Sequence, residues 1–319
     1  MTMRELAKLA NVSASTVSKA FRDANDVSEE TKNLIFDIAK QNGCFHKFYK
    51  NKYSKFTIAI ICPEIKSPYY ADYVERFQDI INQNGGITLV SADGFDDEKQ
   101  QELIEYYAEY LKVDGIIVFN MSSSIKKGHI QTPIVAVFSS KNVVVDSVRI
   151  EFETPIREAI KHLYDTGFKN IAFISEPLTM YKAEKFEKIA RKFPVKYSVI
   201  QLESRFEQAG EDGVDKLFTY KDIPTGIICA YDDIGVGVLK ALKKRGCKVP
   251  DEFSVIGIDN IKASSFLETP LSTIDTVPDE ICAITWDLLQ KKIKNKYYKL
   301  NQKISLTAKL VLRDTTKTK

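Results

Sequence analysis

Thr2-Met-Arg-Glu-Leu-Ala-Lys-Leu-Ala-Asn-Val-Ser-Ala-Ser-Thr-Val-Ser-Lys19, followed by Val27-Ser-Glu-Glu-Thr31, is the stretch that decides the fold of this chain. Thr2 and Glu5 form a capping box, in which the hydroxyl accepts from the Glu5 amide while the carboxylate reaches back. Leu6, Leu9 and Ala10 then fall on one apolar face at helical spacing. The pattern breaks at Asn11-Val12. Ser13 starts a second helix, and Val17 and Ala20 resume the inward spacing. Two short helices joined this tightly make a helix-turn-helix, the unit whose second helix enters the major groove of DNA. A third helix opens at Ser28, with Glu29 and Glu30 matching the positive end of its dipole. It runs through Leu34, Ile35, Ile38 and Ala39 and stops at Gly43, a residue suited to the left-handed C-terminal cap.

Charge follows the same division. The chain has 319 residues and a net charge of +3. Residues 1–55 carry ten Lys and Arg against six Asp and Glu, whereas the remainder carries 36 against 37. The excess positive charge therefore sits on the segment expected to meet a polyanion. No apolar run approaches the ~20 residues of a membrane span, and no basic-then-apolar leader opens the chain, so a cytoplasmic protein is expected. The five cysteines and three histidines are scattered, without the spacing of a disulfide framework or a metal site. No metal and no cofactor are expected.

After Gly43 the stretch Cys44–Lys55 is basic and aromatic, lacks apolar periodicity and reads as a linker. Phe56–Cys62 is a continuous apolar run, as in a strand buried on both faces. From there strands alternate with amphipathic helices, first at 70–83, 87–92, 99–111, 115–120 and 134–138. The alternation starts again at 155–165, 170–175, 183–192, 197–202, 208–218, 226–230, 232–245 and 254–259. The chain closes with a helix over 278–293 and a strand over 303–312. Two successive runs of this kind predict two doubly wound parallel sheets, with a ligand crevice at the carboxyl ends of their strands.

Two features in this order, Val12-Ser-x-x-Thr-Val-Ser-Lys19 and Val27-Ser-x-x-Thr31, resemble the start of the LacI/GalR family of bacterial transcription regulators. The likeness extends along the chain. It takes in Ile60-Ile-Cys-Pro-Glu-Ile-Lys-Ser-Pro-Tyr-Tyr70, Val113-Asp-Gly-Ile-Ile117, His162–Ile174, Ala230-Tyr-Asp-Asp233 with Gly237, Val255-Ile-Gly-Ile-Asp-Asn260 and Pro270-Leu-Ser-Thr-Ile274. The resemblance implies an α/β protein with an all-α helix-turn-helix head and a periplasmic-binding-protein-like core. The expected divisions are a head over 1–45, a linker over 46–55 and a core over 56–319. Within the core, one subdomain takes 56–150 and 275–303, and the other takes 151–274 and 304–319. The chain would cross between them near 150, 274 and 303.

The resemblance also implies site residues. On the family's pattern Ala14, Ser15 and Lys19 read bases, with Lys standing where Arg is more frequent; Lys lacks the rigid fork of Arg. Thr2, Ser13, Ser28 and Thr31 sit near helix starts, where hydroxyls and amides suit phosphates, and Ser15, Thr16 and Ser18 supply hydroxyls for bases or phosphates. Arg22 replaces a common Asn. The linker departs most. Relatives carry a hinge helix whose Pro, Asn, Ala and Leu positions fall here on His46, Lys47, Lys50 and Tyr53. Lys47 is expected on a phosphate and Tyr53 as a minor-groove wedge. Partners implied are double-stranded DNA with an inverted-repeat operator, a second copy of the chain paired through the core (helix 70–83 being one face), and a small carbohydrate effector.

For that effector the family pattern points to Ser67, Tyr69, Tyr70, Asp232 and Asp259. Tyr231 stands in place of Asn, Phe138 in place of a strand-end Asp, and the effector-clamping Arg aligns near Lys185. A regulator answering to a protein corepressor, and a cytosolic solute-binding protein, are the alternatives. An enzyme is disfavoured, since Gly85-Gly86 and Gly235-x-Gly237 lack the strand–turn–helix context of a phosphate loop and no Ser–His–Asp set can be assembled.

Overall fold

The computed structural model describes residues 1–48, 55–126, 128–295, 298 and 300–318. It divides into two compact units, one built on Met1–Phe56 and one taking in nearly all of the rest.

In the first unit, α1 (Met3–Leu9), α2 (Ala14–Phe21) and α3 (Glu29–Gln41) pack around Leu6, Val17, Ala20, Phe21, Ile35 and Ala39. All three helix starts are closed by hydroxyl side chains. Thr2 accepts from the Glu5 amide at 3.3 Å, and Glu5 accepts from the Thr2 amide at 2.7 Å. Ser13 accepts from the Thr16 amide at 3.0 Å and Ser28 from the Thr31 amide at 3.3 Å. Leu9 and Leu34, expected on the inner faces, are instead exposed; Ala7 and Ala10 line the inner face of α1. A short helix, α4 (Phe45–Phe48), stands where the sequence reads as linker. Its Phe45 and Phe48 pack on Phe21 at ring separations of 5.9 and 5.6 Å, which extends the small core with aromatic area.

The second unit holds two six-stranded sheets. The first contains β1 (Thr57–Cys62), β2 (Ile87–Ala92), β3 (Gly115–Phe119), β4 (Ile134–Val137), β5 (Asp146–Glu151) and β11 (Lys303–Thr307), in the order β11-β5-β4-β3-β1-β2. The second contains β6 (Asn170–Ser175), β7 (Lys196–Gln201), β8 (Gly226–Cys229), β9 (Ser254–Asp259), β10 (Ser272–Asp275) and β12 (Lys309–Val311), in the order β12-β10-β9-β8-β6-β7. The two orders are equivalent strand for strand. Strands β1, β3, β4 and β8 are almost wholly apolar and buried, as parallel strands covered on both faces must be.

The covering helices are α5 (Pro68–Gln83), α6 (Asp97–Glu105) and α11 (Pro278–Lys294) in the first half. In the second they are α7 (Glu153–Asp165), α8 (Met180–Ala190), α9 (Phe206–Leu217) and α10 (Asp232–Lys244). The helix expected over 99–111 ends as a regular α-helix at Glu105 and continues as one π-helical segment, Tyr106–Tyr110. In the second half α9 and α10 touch backbone to backbone. A methyl group on Gly237 would lie 1.9 Å from the Glu207 carbonyl oxygen, and one on Gly210 2.1 Å from that of Ile234.

Two readings of the chain order need correction. Strand β5 has no counterpart among the strands expected; its Asp146, Arg149 and Glu151 interrupt the apolar pattern. The single strand expected over 303–312 is broken at Ala308. Its first part pairs in parallel with β5, its second antiparallel with β10. The third passage between sheets therefore falls at Ala308, not near 303, because the two parts pair with different sheets. The other passages lie between β5 and α7 and between β10 and α11. Among the described residues no helix is long and apolar enough to cross a membrane.

Candidate functional site

On the head, burial splits α2 cleanly. Val17, Ala20 and Phe21 are buried, Ala14, Ser15 and Arg22 are exposed, and Thr16, Ser18 and Lys19 are partly exposed. The hydroxyls of Ser13 and Thr16 share a hydrogen bond at 2.8 Å, as do those of Ser28 and Thr31 at 2.9 Å. Each keeps lone pairs or a proton for an outside partner. Lys19 pairs with Asp26, an exposed carboxylate that the ammonium holds below its usual range. Arg22 turns back to the Ser18 hydroxyl at 3.0 Å and carbonyl at 3.3 Å. Thr2, Ser13, Ser28 and Thr31 all sit at helix N-termini, where free amides attract anions. Tyr53 and the side chain of Lys47 lie outside the described residues.

In the core, a cavity of about 840 Å³ opens between the two halves at the carboxyl ends of the strands. Three strand ends reach it through backbones in the left-handed region: Asn120 after β3 (φ 52°), Phe138 after β4 (φ 58°) and Asp259 at the end of β9 (φ 111°). Non-glycine residues hold this conformation at a cost, and here it turns each side chain out of its sheet toward the opening.

The first half contributes a cluster of packed rings. Tyr69 stacks on Phe138 with centroids 5.7 Å apart and planes 27° from parallel, and Tyr70 meets Phe95 and Phe119 edge-on. The Asn120 amide donates to the Tyr70 hydroxyl at 2.7 Å, leaving its carbonyl free to accept. Burial drives the phenols of Tyr69 and Tyr70 well up from their ordinary range, so both are neutral donors. Ser67 lines the wall, buried, just before Pro68 opens α5.

The second half contributes a buried ion pair beside rings of its own. The Lys182 ammonium donates to the Ala230 carbonyl at 2.7 Å, stands 3.5 Å from Asp259 Oδ1 and lies 5.3 Å from the Phe152 ring centre. Both partners are buried. Desolvation raises the Asp259 carboxyl to about 7 against the opposing pull of Lys182. Tyr231 accepts from the Phe206 amide at 2.9 Å, which ties the end of β8 to the start of α9.

Seven of the eight residues expected around the effector line this cavity: Ser67, Tyr69, Tyr70, Phe138, Lys185, Tyr231 and Asp259. Asp232 does not. It lies fully buried behind the cavity, accepting from the Thr273 hydroxyl at 2.6 Å and the Ile261 amide at 2.9 Å, which fixes the loop after β9. The cation placed near Lys185 is also not the inward one: Lys185 is half-buried on the wall, whereas Lys182 is buried and paired. Its place beside Ala183 and four residues before Phe186, on the apolar stripe of α8, was a readable signal. Glu64, Phe95, Glu176, Arg205 and Phe206 went unread. Among the described residues no group of three or more His, Cys, Asp and Glu side chains is arranged to hold a metal ion.

Comparison with known proteins gives a consistent result. Residues 2–43 match the model for bacterial regulatory proteins of the lacI family, and residues 160–316 match that for a periplasmic binding protein-like domain. The chain is 28% identical to the HTH-type transcriptional repressor PurR of Mannheimia succiniciproducens, with 99% of this chain and 98% of that protein covered. It is 27% identical to catabolite control protein A of Priestia megaterium, with 99% of each covered. Among solved structures, the lac repressor dimer bound to operator and the anti-inducer ONPF superposes with a TM-score of 0.78 at 19% identity, over 100% of this chain and 99% of that one. A LacI family transcriptional regulator from Enterococcus faecalis with bound ribose gives 0.69 at 22% identity, over 82% of this chain and 98% of that one.

Proposed function

We propose that this chain, which belongs to the lacI family of bacterial regulatory proteins, is a DNA-binding transcriptional repressor of carbohydrate-related genes. It reads an inverted repeat as a homodimer and is controlled by a small molecule held between the halves of its core. The observation that carries the first part is the split of α2, with Val17, Ala20 and Phe21 turned in and Ala14, Ser15 and Lys19 left accessible. A short helix with one face buried and the other bearing a cation and hydroxyls is shaped for base edges in the major groove. One such head makes few contacts, and two on a two-fold axis supply enough to select a site.

The effector proposed is a sugar or phosphosugar. Rings on one wall offer faces to the C–H side of a sugar, while Asn120, Lys182 and Asp259 offer an acceptor, a donor and a carboxyl that titrates near neutrality. A related regulator holds ribose. Closure of the halves on the ligand shifts operator affinity by their difference in ligand affinity, a coupling of ~1–3 kcal/mol in comparable systems.

The decisive experiment is binding of the purified protein to DNA upstream of its own gene and to a scrambled duplex, across a salt series. Sequence-dependent binding that vanishes on deleting residues 1–45 is expected. Lys19→Ala should lower discrimination by about 1–3 kcal/mol at one base pair. Equal, weak binding to both duplexes overturns the repressor reading. Sugar binding without any DNA preference would make the protein a solute binder instead.

A further inference from the structure

Across the cleft the chain places one of its own cations in a socket built half by each side. Arg205 immediately precedes α9, in the second half. Its Nη1 and Nη2 donate to the two carboxylate oxygens of Glu64, in the loop after β1 of the first half, at 3.0 and 2.7 Å. On its other side Nε lies 3.4 Å from Glu176 Oε2, which follows β6 of the second half. The guanidinium carbon sits 5.6 Å from the ring centre of Phe95, in the first half, and 4.6 Å from that of Phe206, in the second. Each half therefore supplies one carboxylate and one ring. The two carboxylates are topological counterparts, since β1 and β6 hold the same place in their sheets.

This is more than a surface ion pair. Glu176 is 2% exposed, Glu64 13% and Arg205 27%. The fork-to-fork contact with Glu64 is the strong form of an Arg–carboxylate bond, and it fixes orientation as well as distance. The flanking rings favour the guanidinium through its face. Lys66, also in the first half, adds a lighter crossing, with its ammonium 3.9 Å from Glu64 and 5.1 Å from the Phe206 ring centre. No other ion pair among the described residues joins Glu64 or Arg205 to the rest of the core.

We propose that Arg205 is a clasp: it ties the two halves together across the cleft, and any motion that parts the halves must part it. The inference rests on reading the cleft as a ligand site between movable halves, but its readout needs neither effector nor operator. The geometry makes Glu64 and Glu176 unequal partners. Glu176 stays with Arg205 when the halves part, because both belong to the second half, whereas the Glu64 contact has to break. Opening therefore leaves the guanidinium half-neutralised rather than bare, which keeps the open form accessible.

The test is amide hydrogen exchange on the full-length protein, followed in peptides covering 63–70 and 203–209, one from each half. Arg205→Ala and Glu64→Gln should each speed exchange in both peptides by about tenfold, as expected for losing one charge-assisted contact. The double variant should exchange no faster than the faster single one. Millimolar methylguanidinium should restore protection in Arg205→Ala and not in Glu64→Gln. Should Arg205→Ala fail to fold, Arg205→Lys replaces it, with charge kept and the fork lost. The clasp is overturned if Glu64→Gln leaves the 203–209 peptide unchanged, or if the two single effects add in full. Sugars are titrated into the same preparations: if none protects either peptide while the variants behave as described, the clasp stands and the ligand reading falls.

Discussion

The two halves of the core repeat one strand order, yet an equivalent pair of strand ends brings opposite chemistry to the cleft. Phe138 and Asp259 make the point most directly. β4 and β9 occupy equivalent places in their sheets. The residue just after β4 and the last residue of β9 both have a positive φ, 58° and 111°. One end carries a ring stacked on Tyr69, and the other a carboxyl beside Lys182. The shared topology fixes where a side chain is delivered and how the backbone must bend to deliver it. What is delivered is free to differ, so the scaffold says where a ligand lies and the side chains say which ligand it is. The same holds below the cleft. The first half covers its sheet with helices that meet it through side chains, while the second brings α9 and α10 together on bare glycine.

That contrast has a large energetic edge. In Gly237→Ala the new methyl group meets the backbone carbonyl of Glu207 at 1.9 Å, an atom that no rotamer change moves. Ala is favoured over Gly in a helix by about 1 kcal/mol. The clash exceeds that, and the variant is expected to lose more than about 4 kcal/mol, in the exceptional range for a single substitution. The control in the first half is Gly115→Ala, where the nearest atom is a Leu289 side-chain methyl at 2.9 Å. Leu289 is able to shift, and about 1–3 kcal/mol is expected, as for ordinary overpacking. Urea denaturation of both variants decides it. Similar losses would mean that the halves are equally tolerant and that the backbone contact is not special.

The next effect sharpens the chemical side of the comparison. Above about pH 7, where Asp259 is ionised, Lys182→Met leaves the carboxylate buried without its cation, and removing one member of a buried pair costs about 3–5 kcal/mol. Asn120→Ala, its first-half counterpart, removes a hydrogen bond to Tyr70 and should cost about 1 kcal/mol. If the two losses measured in denaturation come out equal, the Lys182–Asp259 pair matters no more to its half than the Asn120–Tyr70 contact does to the other.

What the sequence disclosed follows from how far its signals reach. The head was legible almost to the residue, because caps and spacing act within four residues of one another. Its errors, Leu9 and Leu34, are apolar residues whose exposure depends on how three helices meet. The strand and helix order of the core was legible for the same local reason. It failed at β5, where polar residues interrupt a strand, and at Ala308, where one extended run serves two sheets. The cleft was legible where a residue ends a strand or belongs to a recognised motif, as with Tyr69, Tyr70 and Asp259. Asp232 shows the limit of that, since a motif position does not say whether a carboxylate faces the cavity or the loop behind it. Glu64 and Arg205 stand 141 residues apart. Nothing near either one announces the other, because the contact exists only once both halves have folded.

The smallest effect per unit of change, and the most discriminating, is the response to pH. Burial raises Asp259 to about 7, Asp233 to about 6, and Asp232 and Glu176 upward as well, all in the second half. In the first half burial raises Asp93. A carboxyl whose folded pKa lies above its unfolded value is favoured in its protonated form by folding. Its contribution is complete below the unfolded pKa and is lost as pH rises through the folded one. Paired carboxylates such as the half-buried Glu211, held down to about 2 by Lys240 and Lys244, act in the opposite direction. Their contribution is already constant above the ordinary carboxylate range. Between that range and about 7 the second half should therefore lose stability faster than the first. No single group contributes more than about 1.4 kcal/mol per pH unit. Asp259→Asn isolates one of these groups. Relative to the unaltered protein, its melting temperature should rise as pH climbs toward 7, with no such trend in a Phe138→Leu control. A difference between Asp259→Asn and the unaltered protein that does not vary with pH would mean that Lys182 keeps Asp259 ionised throughout, and that the two strand ends differ in shape and not in titration.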